Sequence, residues 1–148
     1  MPPNTKDNPC PYIMIIDDDE DDLEMVSSSL EQLGVKTRSF DSGKKAIFFL
    51  NLLSDTGDLP DLIITDFNMP SMNGLRILNI LKGNKETSFI PVVVYSTHMT
   101  PIFKNALIKL GAVDCFAKAS VYADFTHQIA TFKNLASNSN SFRKVFRG

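Results

Sequence analysis

The sequence predicts an α/β domain in which a doubly wound, five-stranded parallel sheet is covered by five helices. Short apolar runs alternate with segments of helical periodicity along most of the 148 residues. The central runs contain almost no polar residue, which is typical of parallel strands buried on both faces. The length supports one domain with a substantial core and leaves no room for a second. We therefore expect one doubly wound domain.

Five apolar runs are predicted to be the strands. They lie at 12–16, 35–40, 61–65, 92–96 and 112–117. The second run is the weakest, because polar residues interrupt it. Lengths of about five or six residues are typical of strands in globular proteins.

Five other segments have apolar residues at the spacing of one helix face. In chain order these residues are Leu23, Val26, Leu30 and Leu33; Ala46, Phe49, Leu50 and Leu53; Leu75, Leu78 and Leu81; Phe103, Leu107 and Leu110; and Val121, Phe125, Ile129, Phe132 and Leu135. Gly34 and Gly111 are predicted to end the first and fourth helices. The Asp-Ser pair at 41–42 is predicted to cap the second helix, and Thr100 with Pro101 to open the fourth.

The two ends of the chain lie outside this pattern. Residues 1–11 are polar and rich in proline, so we predict a flexible N-terminal arm. Residues 12–136 are predicted to form the folded domain. Residues 137–148 begin with alternating serine and asparagine and finish with basic and aromatic residues. We interpret this segment as a linker followed by a basic C-terminal tail.

Composition and charge exclude several classes of protein. The formal net charge is −2, which argues against nucleic acid as the main partner. No apolar run reaches the roughly 18 residues of a membrane span. Cys10 and Cys115 lie far apart, and no apolar leader follows Met1. These features indicate a reduced, cytoplasmic protein.

Acidic side chains follow two predicted strands at the point where each strand ends. Asp17 and Asp18 come directly after the run at 12–16, and Asp66 comes after the run at 61–65. Parallel strands present their carboxyl ends at one ligand-binding edge of the sheet. Clustered carboxylates repel one another unless a cation offsets their charge. The sequence therefore predicts a site for Mg²⁺, or Mn²⁺ in its place, and a phosphoryl group.

The acids that follow have a more ordinary explanation. Asp19, Glu20, Asp21 and Asp22 fall in the predicted first turn of a helix. Negative charge at that position is stabilised by the positive end of the helix dipole. We therefore expect these four residues to have a structural role.

Two further strands end in groups that suit a phosphoryl group. Ser96 and Thr97 follow the fourth strand, and a hydroxyl there can donate to a phosphoryl oxygen on Asp66. Either hydroxyl could instead cap the next helix. Lys118 ends the fifth strand, where its ammonium group can pair with a carboxylate or a phosphate. Each feature is weak alone, but the combination is specific.

With these residues in place, the chain resembles the receiver domain of two-component response regulators over roughly 12–136. The resemblance rests on the acids, hydroxyl and lysine at the strand ends, which are Asp17, Asp18, Asp66, Ser96 and Lys118. The loop at 69–74, Met-Pro-Ser-Met-Asn-Gly, is also similar. The resemblance implies a flavodoxin-like sheet with strand order 2-1-3-4-5, as in chemotaxis regulators that consist of a receiver alone.

The resemblance also implies the chemistry. Asp66 would accept a phosphoryl group from a sensor histidine kinase or a histidine phosphotransfer protein, assisted by Lys118 and Ser96. Mg²⁺ would be held by the three strand-end acids and by the backbone carbonyl of Asn68. The protein would catalyse only its own phosphorylation and dephosphorylation and would not otherwise be an enzyme.

The resemblance further implies how such a protein signals. Only about a dozen residues follow the fifth predicted helix, so we expect a receiver that acts by protein contacts. The contacts would be with an unknown downstream target or within a phosphorelay, and a homodimer stays open. Asn68, Thr97 and His98 are expected at the rim of the pocket, where they would modulate the lifetime of the phosphorylated form. For His98 the alternative is an exposed loop residue without a role.

Two positions depart from the family pattern. Receivers usually have proline after the lysine, where this chain has Ala119, so the sequence leaves the geometry of the 118–119 peptide bond open. A tyrosine or phenylalanine three residues before the lysine often reports phosphorylation, but this chain has Cys115. Tyr95 or Phe116 are candidates to replace that ring.

Three other kinds of protein share parts of this pattern. A pseudo-receiver would bind a partner without phosphorylation, which the intact acids and lysine oppose. A haloacid-dehalogenase-like phosphatase needs Asp-x-Asp-x-Thr or Val, and the run at 17–21 supplies only the two acids. A flavodoxin-like electron carrier shares the fold class but needs a hydroxyl- and glycine-rich phosphate loop. Labelling by acetyl phosphate, turnover of a phosphomonoester and a yellow colour distinguish the receiver, phosphatase and flavoprotein.

Overall fold

A computed structural model describes residues 10–147, with side chains to residue 140. Its five strands are parallel and form one sheet, in which the second strand of the chain is at one edge and the order is 2-1-3-4-5. The strands are β1 (Tyr12–Ile16), β2 (Lys36–Phe40), β3 (Leu62–Thr65), β4 (Val92–Ser96) and β5 (Asp114–Ala117). The helices between and after them are α1 (Glu20–Gln32), α2 (Gly43–Leu53), α3 (Gly74–Gly83), α4 (Pro101–Lys109) and α5 (Tyr122–Arg147). The predicted fold class and strand order are confirmed.

The predicted helix ends are formed by the expected residues. Ser42 and Thr100 each accept a hydrogen bond from the backbone N–H three residues further on, which caps α2 and α4. Pro101 is the first residue of α4. Gly34 and Gly111 follow α1 and α4 with φ of 83° and 114°, a conformation that favours glycine. Local sequence therefore determines where these helices begin and end.

The core forms two apolar layers, one on each face of the sheet. Alternate residues of β1 show the division, since Ile13 and Ile15 pack with α1 and α5 while Met14 and Ile16 pack with α2 and α3. Both faces are covered, which explains why the central strands are apolar throughout. Strand β2 is the exception because it lies at the edge, and most of its side chains are partly or fully exposed. The polar side chains associated with the central strands therefore lie at the strand ends.

The C-terminal segment differs from the prediction. Helix α5 is continuous from Tyr122 to Arg147, so the linker predicted to follow residue 136 is helical instead. Ala136 is fully buried, and the side-chain amide of Asn140 donates to the carboxylate of Asp61 at 3.1 Å. These contacts outweigh the modest helix propensity of serine and asparagine. Although α5 is long, no helix within residues 10–147 has the length and apolar character needed to cross a bilayer.

Only the last two residues of the predicted N-terminal arm, 1–11, are described, and residues 1–9 lie outside the described part of the chain. Cys10 donates a hydrogen bond from its thiol to the carbonyl of Gly34. The carbonyl of Pro11 accepts from the backbone N–H of Lys36 at 2.9 Å. Residues 10 and 11, which the sequence predicts to belong to the flexible arm, are therefore attached to the edge of the sheet.

The loop between β3 and α3 folds back tightly against the end of β3. The backbone N–H of Gly74 donates to the carbonyl of Phe67 at 2.9 Å. A Cβ atom on Gly74 would lie 2.8 Å from the carbonyl oxygen of Asp66 and 2.9 Å from the Cα of Phe67. Such distances leave no room for a side chain, so glycine allows the loop to support the strand end that carries Asp66.

We expect Gly74→Ala to lower the free energy of unfolding by about 1–3 kcal/mol, because backbone atoms must shift to admit the methyl group. Gly83→Ala is the matched control, since no atom of the described residues lies within 4 Å of a Cβ there. It should leave the stability unchanged or raise it by up to about 1 kcal/mol. Denaturant titration followed by circular dichroism measures both. Equal stability of the two variants would contradict the tight loop.

Candidate functional site

Three carboxylates meet at the carboxyl edge of the sheet, as the sequence predicts. Strands β1 and β3 are neighbours with Ile16 opposite Thr65, so Asp17 and Asp66 emerge side by side. One carboxylate oxygen each from Asp17, Asp18 and Asp66 lies within 4.8 Å of the others. Asp17 and Asp66 are buried and Asp18 is exposed. The cluster therefore has two members fixed by the sheet and one that faces solvent.

Lys118 supplies the positive charge of this pocket. Its backbone N–H donates to the carbonyl of Ser96 at 2.9 Å, which holds it beside the end of β4. Its side chain is only 15% exposed, and Nζ lies 2.7 Å from Oδ2 of Asp17 and 3.8 Å from Oδ2 of Asp66. The first distance is that of a charge-assisted hydrogen bond, whereas the second is an ion pair without one.

A fourth carboxylate reaches the pocket from α1. Oδ2 of Asp22 lies 2.8 Å from Nζ of Lys118, although the sequence predicted only a helix-dipole role for this residue. The signal was present in the helix periodicity, because Asp22 precedes the buried Val26 by four residues and so shares its face. The carboxylate of Asp19 caps the helix by accepting the backbone N–H groups of Asp21 and Asp22. The structural expectation holds for Asp19 and is incomplete for Asp22.

Ser96 is buried at the end of β4 without a hydrogen-bond partner. Its Oγ is the one buried side-chain nitrogen or oxygen atom that lacks a partner among the residues whose side chains are described. Buried hydroxyl groups are normally hydrogen-bonded, because an unmade bond costs free energy. The strand containing Ser96 pairs with β3, which carries Asp66, and with β5, which leads to Lys118. The hydroxyl of Ser96, a hydrogen-bond donor without an acceptor among the described residues, therefore lies on the strand between β3 and β5.

The predicted rim residues are exposed. The carboxylate of Asp66 accepts the backbone N–H of Phe67 at 2.8 Å, and Asn68 is the next residue along the chain. Thr97 and His98 follow β4, and both residues are exposed. The roles assigned to Asn68, Thr97 and His98 stay predictions.

The electrostatics of the pocket favour a cation. Burial raises the pKa of Asp66 above its ordinary value, and the neighbouring charge of Asp17 raises it further. Burial also raises the pKa of Asp17, although a hydrogen bond with Lys118 opposes the shift. For Lys118, burial lowers the pKa, but hydrogen bonds with Asp17 and Asp22 outweigh it and the pKa is raised. One ammonium group thus faces several acids, which suits a hard divalent ion.

The two departures from the family pattern have structural counterparts. Every peptide bond within residues 10–147 is trans, so the bond between Lys118 and Ala119 is trans. Cys115 is buried in the core layer beneath α4. A cleft of about 490 Å³ lies between α4 and β5, and Cys115, Phe116 and Lys104 line part of it. A small side chain occupies the position where the family often has a ring.

Tyr95 is connected to α5. Its hydroxyl donates to Oε1 of Gln128 at 2.7 Å, and Nε2 of Gln128 donates to the carbonyl of Ala117 at 2.7 Å. The rings of Tyr95 and Phe116 each make an edge-to-face contact with Phe132 on α5. The carboxyl ends of β4 and β5 are therefore both held against helix α5.

Comparison with known proteins identifies the family pattern over most of the chain. A profile described as the response regulator receiver domain matches residues 13–130. The two-component response regulator ARR8 of Arabidopsis thaliana is 30% identical over 129 residues, covering 78% of this chain and 57% of that protein. The regulator ORR3 of Oryza sativa subsp. indica is 31% identical over 118 residues, covering 80% of this chain and 87% of that protein. The chain thus spans little more than half the length of some curated relatives.

Solved structures agree in fold. A response regulator from Desulfuromonas acetoxidans is 29% identical, with a TM-score of 0.66 over 84% of this chain and 98% of that one. The Mn²⁺-bound form of response regulator Rcp1 has a TM-score of 0.73 over 84% of this chain and 92% of that one. At 23% identity the second likeness shows a shared fold only.

We expect Asp18→Ala to weaken Mg²⁺ binding by about tenfold, because loss of a ligand charge near a divalent ion costs on the order of 1.4 kcal/mol or more. The side chain of Asp18 is exposed, so the variant should melt no lower than the parent without metal. Calorimetric titration with Mg²⁺ measures the affinity. Glu20→Ala, which removes an exposed acid two residues away, is the control and should bind Mg²⁺ nearly as the parent does. An unchanged titration of Asp18→Ala would contradict the metal cluster.

We expect Asp66→Asn to melt a few degrees higher than the parent at pH 7 in the presence of a chelator. A carboxyl group whose pKa is raised on folding stabilises the fold fully below its unfolded pKa and loses that contribution as pH rises through the folded pKa. The advantage of Asp66→Asn should therefore shrink as pH falls from 7 toward the ordinary value of 3.8.

Thermal melts across this pH range, with the exposed Asp55→Asn as control, test the expectation. The same melting temperature for Asp66→Asn and the parent at pH 7 would show that the carboxylate of Asp66 is not destabilised by the pocket.

Proposed function

The chain belongs to the response regulator receiver family, and on that basis we propose that Asp66 accepts a phosphoryl group from a phosphohistidine of a kinase or phosphotransfer protein. Receiver domains of this family interact with such proteins. The observation that carries the proposal is a buried carboxylate with an ammonium group 3.8 Å away and a buried hydroxyl without a partner at the adjoining strand end.

The transfer exchanges one bond for another. A carboxylate oxygen of Asp66 attacks phosphorus and forms an O–P bond. The N–P bond breaks, and its electron pair returns to the imidazole nitrogen of the donor. The carboxylate is suited to this step because a hydrogen bond from the backbone N–H of Phe67 holds its orientation. The product is a mixed anhydride, which water later hydrolyses.

Lys118 and Ser96 act on the transferred group. The ammonium group of Lys118 lies close enough to Asp66 to reach an oxygen of the phosphoryl group with a small displacement. The hydroxyl of Ser96 has no competing acceptor among the described residues, so it is free to donate to another oxygen. Donors held ready where negative charge develops lower the barrier to transfer.

Asp17, Asp18 and Asp66 fit a divalent ion, since their oxygens converge and their charge exceeds that of Lys118. We propose Mg²⁺, or Mn²⁺ in its place, with the backbone carbonyl of Asn68 as a further ligand. When bound, the ion would neutralise charge on the transferring oxygens. The solved Mn²⁺-bound form of Rcp1 supports this proposal.

We further propose which reactions the protein catalyses, how it signals and where it is located. It would catalyse only its own phosphorylation and dephosphorylation, with Asn68, Thr97 and His98 at the rim modulating the lifetime. It would signal through contacts with other proteins and not with nucleic acid. The unpaired thiols of Cys10 and Cys115 support a reducing, cytoplasmic location.

Incubation with acetyl phosphate and Mg²⁺ should add the mass of one phosphoryl group to the intact protein, and Asp66→Asn should not gain it. Ser96→Ala should be phosphorylated more slowly by about tenfold, because one donor to the developing charge is lost. Ser88→Ala, an exposed serine at a distance from the pocket, is the matched control and should react at the parent rate. Modification of Asp66→Asn to the same extent as the parent would overturn the assignment.

A further inference from the structure

Lys118 is shared among acids that have different roles in the pocket. Its ammonium group donates to Asp17 at 2.7 Å and to Asp22 at 2.8 Å, while Asp66 lies 3.8 Å away. Asp17 and Asp66 belong to the cluster that would hold the metal ion, but Asp22 does not. The contact with Asp22 therefore stabilises Lys118 on the α1 side of the pocket without contributing to the acceptor or the metal cluster.

Asp22 has little freedom to follow Lys118. It lies in the first turn of α1, where its backbone N–H donates to the capping carboxylate of Asp19 at 3.1 Å. Its side chain is 31% exposed, and the next turn of α1 is anchored in the core by Leu23 and Val26. If Lys118 moves about 1 Å toward Asp66 to reach hydrogen-bonding distance, the contact with Asp22 lengthens.

We propose that Asp22 is a positioning residue that competes with the phosphoryl group on Asp66 for Lys118. This inference rests on the proposed phosphoryl acceptance by Asp66. In the unphosphorylated protein, Asp22 and Asp17 hold the ammonium group. During transfer, Lys118 exchanges the Asp22 carboxylate for an oxygen of the phosphoryl group. Asp22 thus stabilises the state before transfer more than the transition state, and it slows phosphorylation.

The charge of Asp22 acts in the same direction as its hydrogen bond. A phosphodonor brings negative charge into a pocket that already contains several carboxylates, and Asp22 adds to the repulsion. Removing the charge leaves Lys118 bonded to Asp17, so the ammonium group keeps a partner. We expect Asp22→Asn to raise the rate of phosphorylation about fivefold, because the amide oxygen that replaces the carboxylate still accepts from Lys118 but forms a weaker, uncharged hydrogen bond.

Three variants test this inference with acetyl phosphate as the donor. Asp22→Asn should react about fivefold faster than the parent. Asp21→Asn, the matched control, removes an equal charge from an exposed position in the same helix turn and should stay within about twofold. Asp22→Glu restores the carboxylate and should also stay within about twofold of the parent. A rate for Asp22→Asn that is slower than the parent, or equal to that of Asp21→Asn, would overturn the competition.

The dependence on Mg²⁺ separates competition from a change in metal binding. Because Asp22 lies outside the metal cluster, Asp22→Asn should change the Mg²⁺ concentration for half-maximal rate by less than about threefold while the maximal rate rises. A shift confined to the Mg²⁺ requirement would assign Asp22 to metal binding and overturn the inference.

A second readout needs no phosphorylation. The nitrogen-15 spectrum of the lysine ammonium groups, assigned by loss of one signal in Lys118→Met, should show a slowly exchanging signal for Lys118 in the parent. In Asp22→Asn this signal should shift and exchange faster, and in Asp21→Asn it should not. An unchanged signal in Asp22→Asn would refute the contact.

Failure of this inference is distinguishable from failure of the proposed function. A parent protein that gains no phosphoryl group while its Lys118 signal responds to Asp22→Asn refutes phosphoryl acceptance, and the competition with it, but keeps the contact between Lys118 and Asp22. A parent that is phosphorylated at Asp66 with a rate indifferent to Asp22→Asn refutes the competition alone.

Discussion

The ammonium group of Lys118 lies between the carboxylates of Asp17 and Asp22, and the folded arrangement of this edge depends on that charge. Two strands and the first turn of α1 bring acids to the same place, where they would repel one another without a cation. Burial strengthens the repulsion because it removes the screening of water. A single lysine cannot neutralise all of these acids, so the pocket can still bind a divalent ion. It can accept the negative charge of a phosphoryl group only when that ion is present.

The apolar construction of the sheet confines this charge to the strand ends. Central strands that are covered on both faces leave polar side chains only at the strand ends. From the pocket, hydrogen bonds run to α5 through Tyr95 and Gln128, and Gln128 also bonds the carbonyl of Ala117 beside Lys118. Cys115 cannot provide a ring at the position where the family often has one. The described hydrogen bonds that link the ends of β4 and β5 to α5 pass through Tyr95 and Gln128.

The fold was predictable from the sequence because it follows from periodicity and from caps. The meeting of Asp17 and Asp66 was equally predictable, since parallel strands end at one edge. The face of α1 on which Asp22 lies was predictable from helix periodicity. Its approach to Lys118 was not, because that contact depends on the distance between α1 and the end of β5, which no local pattern records. The missing partner of Ser96 is likewise a property of the packed structure. The sequence also did not predict that α5 continues past residue 136. The side chain of Asn140 bonds Asp61 just before β3, and intrinsic helix propensity does not account for such a long-range contact.

We propose that this edge of the sheet holds a phosphoryl group on Asp66, with the hydroxyl of Ser96 as the spare donor. A crystal structure of the protein with Mg²⁺ and beryllofluoride, which mimics a phosphoryl group on a carboxylate, tests it most directly. We expect beryllofluoride on the carboxylate of Asp66 with Oγ of Ser96 at about 3 Å from one fluorine. Beryllofluoride bound elsewhere, or bound to Asp66 with the hydroxyl of Ser96 still without a partner, would contradict it.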